Sequence, residues 1–133
     1  MVIGEAPGAE EVEQEKPFVG PVGRYVASLC KEAGFNLEDC YRTNVFKYRP
    51  PENDIKRAAE TGHTIEAGLE QLWGEIYACK PNVILLLGST ALKYVCGKDG
   101  IGKWRGSILP TQQGGFKTVS TYHPGSIITP RKG

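Results

Sequence analysis

The 133-residue chain has little of several things, and each shortage closes off a class of function. Its longest apolar run, Val83 to Leu87, is too short to span a bilayer, and no basic-then-apolar leader opens the chain. A soluble cytoplasmic protein with no membrane partner is therefore expected. Cys30, Cys40, Cys79 and Cys96 never fall in a CxxC pair, which argues against a metal knuckle or a disulfide framework. Reduced, half-buried thiols are expected instead. The net charge is only +1, so no global field draws the chain to a polyanion. No repeat, low-complexity tract or linker divides it, and 40% hydrophobic with 23% charged residues is ordinary for one globular domain.

Against these absences stands an ordered series of elements. Val2–Ile3 reads as the tail of a buried strand that ends in the turn GEAPG, residues 4–8. Pro21 to Ala33 predicts a helix with Val22, Val26 and Leu29 on one face and Gly34 as its stop. Tyr41 to Phe46 is rich in strand-forming residues, and Pro50-Pro51 then opens a polar loop, ENDIKRAAETGH. Ile65, Leu69, Leu72 and Ile76 recur at helical spacing until Lys80-Pro81, where the residue before proline resists the helix. Val83 to Leu87 has the continuous apolar pattern of a strand covered on both faces. Ser89 can cap a short helix through Val95, with Gly97 as its stop. Phe116 to Thr121 predicts a fourth strand, preceded by a loop or added hairpin, GKWRGSILPTQQGG.

Strands alternating with helices predict an α/β protein with a four-stranded parallel sheet between helical layers. Ligands of such sheets bind beyond the carboxyl ends of the strands. GEAPG, Asn44, Gly88-Ser89 and Tyr122-His123-Pro124-Gly125 all fall at that edge. The chain has neither the GK[ST] of a phosphate loop nor the GxGxxG of a dinucleotide site. Taken singly, each polar residue there has a plain reading beside a functional one. Glu5 can be an exposed turn acid, Phe18 a core ring and Asn53 a turn residue. Asn44 can tie a loop or read a ligand's donor–acceptor pair, and His123 can be structural or chemical. The basic groups Arg42, Lys47, Arg49, Lys56, Arg57 and Lys98, Lys103, Arg105, with Arg131 and Lys132, read as solvated loops.

In combination, GEAPG, PFVG (17–20), NVFKYRPPEN, VILLLGSTAL, RG and YHP resemble the uracil-DNA glycosylase superfamily, and its family 4, the iron–sulfur branch, most of all. The resemblance runs from Val2 to about Ile128 in the family's order. It implies the three-layer α/β/α sheet and hydrolysis of an N-glycosyl bond in base excision repair. The chain then reads as that domain over residues 1–133, trimmed at both ends: the family's N-terminal segment, with one pair of cluster cysteines, and its C-terminal helix fall outside. Of the other two cluster cysteines, one position holds Tyr48 and the other falls near Gly68. No iron–sulfur cluster, and no other cofactor or metal, is therefore expected. The last motif reads HPG where the family more often has HPS.

The resemblance also assigns roles. Glu5 holds or activates the attacking water, Asn53 helps position it, and His123 donates to uracil O2 as charge builds on the leaving base. Phe18 stacks on the flipped base, Asn44 reads its N3–H and O4, and the backbone of Ala6, Pro7 and Gly8 closes against it. Glu11 lies near the C5 edge, where a thymine methyl is excluded. Gly125, Ser126, Ile127 and Ile128 form a minor-groove loop with an apolar wedge, and Arg105 is among the basic residues on flanking phosphates. The expected partner is uracil-containing DNA, single- or double-stranded, met by a monomer at the nucleoid. The competing expectation is a catalytically weak uracil- or DNA-binding module of a larger replication or repair protein.

Overall fold

The computed structural model describes residues 1–124 of the chain. Along them run β1 (Val2–Gly4), α1 (Ala9–Gln14), α2 (Pro21–Glu32), β2 (Arg42–Asn44), α3 (Ile65–Cys79), β3 (Ile84–Leu87), α4 (Ser89–Cys96), α5 (Ile101–Trp104), β4 (Ile108–Pro110) and β5 (Lys117–Thr121). The sheet has five strands in the order β2-β1-β3-β5-β4. Four are parallel, and β4 pairs antiparallel with β5. The expected four-stranded parallel sheet thus gains an edge strand, and the segment before β5 is a hairpin. A two-strand hairpin needs only local pairing, which short apolar pieces such as Ile108-Leu109 supply without a periodic signal.

β3 shows why the centre of the sheet is apolar on both sides. Ile84 and Leu86 are sealed within a cluster that includes Leu72 and Ile76 of α3 and Leu92 and Val95 of α4. Leu87 joins Val2, Val26, Cys30 and Leu37 on the opposite face. Each fully buried aliphatic side chain contributes roughly 1.5–3 kcal/mol, so these two clusters hold the three layers together. α3 begins where the Thr64 hydroxyl accepts a hydrogen bond from Ala67 N at 3.1 Å, and it ends at Lys80 with φ 47° before Pro81.

Several expectations change at their edges. In α2 the buried residues are Gly23, Val26 and Cys30, and Leu29 is exposed, because the α2 contact lies a little around the helix from the face first read. β2 is shorter than 41–46, and Asn44 is its last residue, opposite Gly4. The polar loop after Pro50-Pro51 contains tight turns at Pro51–Asn53 and Ile55–Thr61. Gly88, not Ser89, occupies the cap of α4, with Ser89 already helical. Cys30 and Cys96 are buried, but Cys79 is exposed at the end of α3. All four are free thiols.

The strand order places the site. From β1 the chain crosses to β2 on one side; after α3 it returns to β3 on the other. The turns leaving β1 and β3 therefore diverge, and a crevice opens between them at the carboxyl edge.

Candidate active site

That crevice holds a cavity of about 440 Å³, within the roughly 300–1,000 Å³ usual for small-molecule sites. Glu5, Ala6, Pro7 and Gly8 line it from the turn after β1, Asn44 from the end of β2, and Gly88, Ser89 and Thr90 from the turn after β3. Glu11, Phe18, Asn53 and His123 complete the set singled out from sequence. The structure thus brings together every one of those residues that precedes Gly125 except Arg105. Gly125, Ser126, Ile127 and Ile128 lie outside the described residues. Arg105 is exposed and away from the cavity, with its guanidinium 5.2 Å from the ring centre of Tyr122, the neighbour of His123.

Close packing explains the glycines better than turn geometry alone. A Cβ on Gly4 would lie 2.7 Å from Asn44 Oδ1 and 3.1 Å from the Phe18 ring, so Gly4 lets the amide and the ring sit side by side. Phe18 itself has φ 55°, in the left-handed region, where a bulky residue is seldom found. At Gly8 the neighbour is Glu11: a Cβ would come within 2.8 Å of Oε1.

Glu11 ties two loops together. Its Oε1 accepts from Gly8 N at 3.1 Å, and its Oε2 accepts from Val19 N at 2.9 Å and Gly20 N at 2.5 Å. Both carboxylate oxygens are thereby committed to backbone, fixing the GEAPG turn against the PFVG turn. The helix that carries Glu11, α1, has no buried residue and hence no apolar stripe to announce it.

His123 is largely buried. Burial pushes its imidazole below the ordinary 6.5, and the negative charge of Glu5 opposes that shift in part. The neutral ring is therefore the form favoured near pH 7. Asn53 is exposed with φ 58°, and its Oδ1 accepts from Arg49 Nε at 2.9 Å.

Behind Asn44 lies an ion pair that composition alone placed among solvated loops. Lys47 Nζ donates to Glu75 Oε1 at 2.5 Å, to Thr43 Oγ1 at 2.7 Å and to the Asn44 carbonyl at 2.6 Å. Tyr41 and Thr43 also donate to Glu75. Burial would raise the Glu75 carboxyl, but the hydrogen bonds from Lys47, Tyr41 and Thr43 outweigh it and hold the group low. Lys47 is thus a partly buried prop for the Asn44 backbone, contrary to the solvated reading.

The two in-chain positions at which the resemblance puts cluster cysteines are built for other contacts. Tyr48 stacks on His63, centroids 3.5 Å apart and planes 8° from parallel, and Phe46 meets Tyr48 edge-on. A Cβ on Gly68 would lie 2.5 Å from the Val45 carbonyl oxygen, so α3 packs directly on backbone there. Among the described residues no group of three His, Cys, Asp or Glu side chains is placed to hold a metal ion. These residues do not fit an iron–sulfur cluster.

Thr90 is the site residue that the sequence reading passed over. Its hydroxyl donates to Glu5 Oε2 at 2.5 Å. The available signal was a second hydroxyl beside Ser89, in the turn leaving the most apolar strand.

An acid, an imidazole, an amide and an aromatic ring converging at the switch point of a parallel sheet define an α/β protein with a ligand cleft of mixed polar and apolar lining. The chain belongs to the uracil-DNA glycosylase superfamily, whose family model matches residues 1–132. A type-4 uracil-DNA glycosylase from Thermotoga maritima is 38% identical over 136 residues, covering 98% of this chain and 67% of that protein. One from Archaeoglobus fulgidus is 31% identical over 135 residues, covering 96% of this chain and 66% of the relative. The chain thus spans about two thirds of the length of these relatives. A DNA polymerase of Bacillus phage SP01 is 27% identical over 129 residues, 96% of this chain but 13% of the polymerase.

Proposed function

We propose that this chain is a uracil-DNA glycosylase: it takes uracil flipped out of DNA and hydrolyses the bond between N1 and the deoxyribose C1′. The observation that carries this reading is the single cavity shared by Glu5, Phe18, Asn44 and His123. Phe18 stacks on the extruded base, an interaction worth about 1–3 kcal/mol. The Asn44 amide offers an acceptor to N3–H and a donor to O4, a pattern that cytosine reverses. As the C1′–N1 bond breaks, its electron pair goes to the base, and neutral His123 donates a hydrogen bond to O2 where that charge collects. Water forms the new C1′–O bond, and the proton it loses ends on the departing base; Glu5 orients this water and offsets the cationic sugar. Asn53, its Oδ1 held by Arg49, faces the same cavity as a second handle on the water. Glu11 shapes the wall at the C5 edge through the backbone it holds. Uracil and an abasic site are the products.

The protein works without a metal or an iron–sulfur cluster, a reading supported by the Tyr48–His63 stack and the tight seat of Gly68. It acts as a monomer on single- or double-stranded DNA, with residues 125–128 and Arg105 on the flanking backbone. Its compartment is that of the chromosome, the cytoplasm and its nucleoid. No described helix is long and apolar enough to cross a membrane.

The phage polymerase match favours a second reading, in which this unit is a uracil-recognising module of a larger replication protein. Single-turnover excision on uracil-containing oligonucleotides, single- and double-stranded, separates the two. Release of uracil with a matching yield of abasic sites supports the enzyme. Tight, uracil-dependent binding without release supports the module and overturns the glycosylase reading.

A further inference from the structure

Glu5 leaves β1 and Thr90 opens α4, yet the Thr90 hydroxyl lies 2.5 Å from Glu5 Oε2 across 85 residues of sequence. A threonine in the first turn of a helix has nearer choices, because its hydroxyl can bond backbone groups three or four residues away. This one spends its donor on Glu5. Among the described residues no other side chain or backbone group hydrogen-bonds that carboxylate, so Oε1 keeps its accepting capacity. Both residues line the cavity, as does His123, whose imidazole feels the negative charge of Glu5.

A glutamate on a turn can rotate about three side-chain torsions, and a carboxylate that swings cannot hold a water on a fixed line to C1′. One hydrogen bond to Oε2 removes that freedom and leaves Oε1 for the water. The packing supports the placement: Ala91 and Leu92, which follow Thr90, are fully buried, so the first turn of α4 is a rigid mount.

We infer that Thr90 is a positioning residue for hydrolysis, fixing the Glu5 carboxylate so that its second oxygen meets the attacking water. The inference rests on the reading of Glu5 given under Proposed function. It assigns Thr90 no contact with the base, so uracil affinity does not depend on its hydroxyl.

The test compares Thr90→Val, which keeps the shape and loses the donor, with Thr90→Ser, which keeps the donor. Both are measured for melting temperature, affinity for a uracil-containing oligonucleotide and single-turnover excision rate. A misplaced catalytic group costs up to about 10²-fold in rate, so Thr90→Val should excise roughly 10–100-fold more slowly at unchanged affinity. Thr90→Ser should restore most of that loss. In a Glu5→Ala background, Thr90→Val should add no further loss, since residues acting through one group are non-additive. Where the Val variant melts early, Thr90→Ala is read by the same criteria. Equal rates in Thr90→Val and wild type, with Glu5→Ala slow, overturn the role of Thr90 alone. A Glu5→Ala variant as fast as wild type overturns the reading of Glu5, and an inactive wild-type chain overturns both. A Val variant that loses affinity in step with rate makes Thr90 a pocket-wall residue and also overturns the inference.

Discussion

Gly88 and His123 meet across the carboxyl edge of the sheet, so closely that a Cβ on Gly88 would lie 3.0 Å from the His123 Cβ. Gly88 has φ 94° and ψ 173°, a conformation essentially confined to glycine. The turn that starts α4 and the seat of the imidazole are therefore one structure. Gly88→Ala should cost on the order of 1–3 kcal/mol and slow excision by displacing His123. A lower melting temperature together with a lower single-turnover rate is the expected pair of results.

His123 also gives the protein a pH signature. Its folded-state value lies below 6.5 because of burial, so as pH falls the unfolded chain takes the proton first. Stability from this group is complete above 6.5 and declines as pH drops from there to the folded-state value. Urea midpoints should fall between pH 7 and pH 5, and this fall should be shallower in His123→Asn. Losing the donor to uracil O2 should slow release by roughly 10²–10³ in His123→Ala, with DNA affinity little changed.

Asn44 pairs with Gly4 at the end of two parallel strands, and Lys47 holds its carbonyl from behind. Its backbone is fixed independently of its amide. Asn44→Asp should therefore keep the fold while presenting the wrong donor pattern to uracil. Loss of uracil excision at an unaltered melting temperature, with cytosine release tested alongside, checks this.

Iron offers a separate test. The purified 133-residue chain should be colourless, with no iron by elemental analysis. Gly68→Cys should gain no iron and should lose roughly 1–3 kcal/mol, because its Cβ would press on the Val45 carbonyl. A broad absorbance in the visible blue that tracks iron content would contradict both statements.

Most of the scaffold was readable from the order of residues. The Leu69-Leu72-Ile76 stripe, the apolar run of β3 and the punctuation by Pro81 and Gly97 are local signals, and the elements stand where those signals put them, except that Val83 is exposed and precedes the strand. The location of the cleft was legible as well, since alternating strands and helices send every βα turn to one edge. Less visible were α1, which buries nothing, and β4, which is three residues long and exists by pairing with β5.

The sequence by itself determined the residue types of the cleft, because Glu5, Asn44 and His123 sit at strand ends or in the turns beyond them and Phe18 in the PFVG turn before α2. What each one touches was decided only by the tertiary structure. Charge patterning made Lys47 a solvent cation, whereas folding sets it between Glu75 and the Asn44 carbonyl. Ser89 had the better helix-cap chemistry, yet Thr90 reaches Glu5, because the positive φ of Gly88 turns the chain one residue earlier. Periodicity reports which face of an element is apolar. It carries no record of which distant polar group will stand within 3 Å, since that distance is set by how the layers pack.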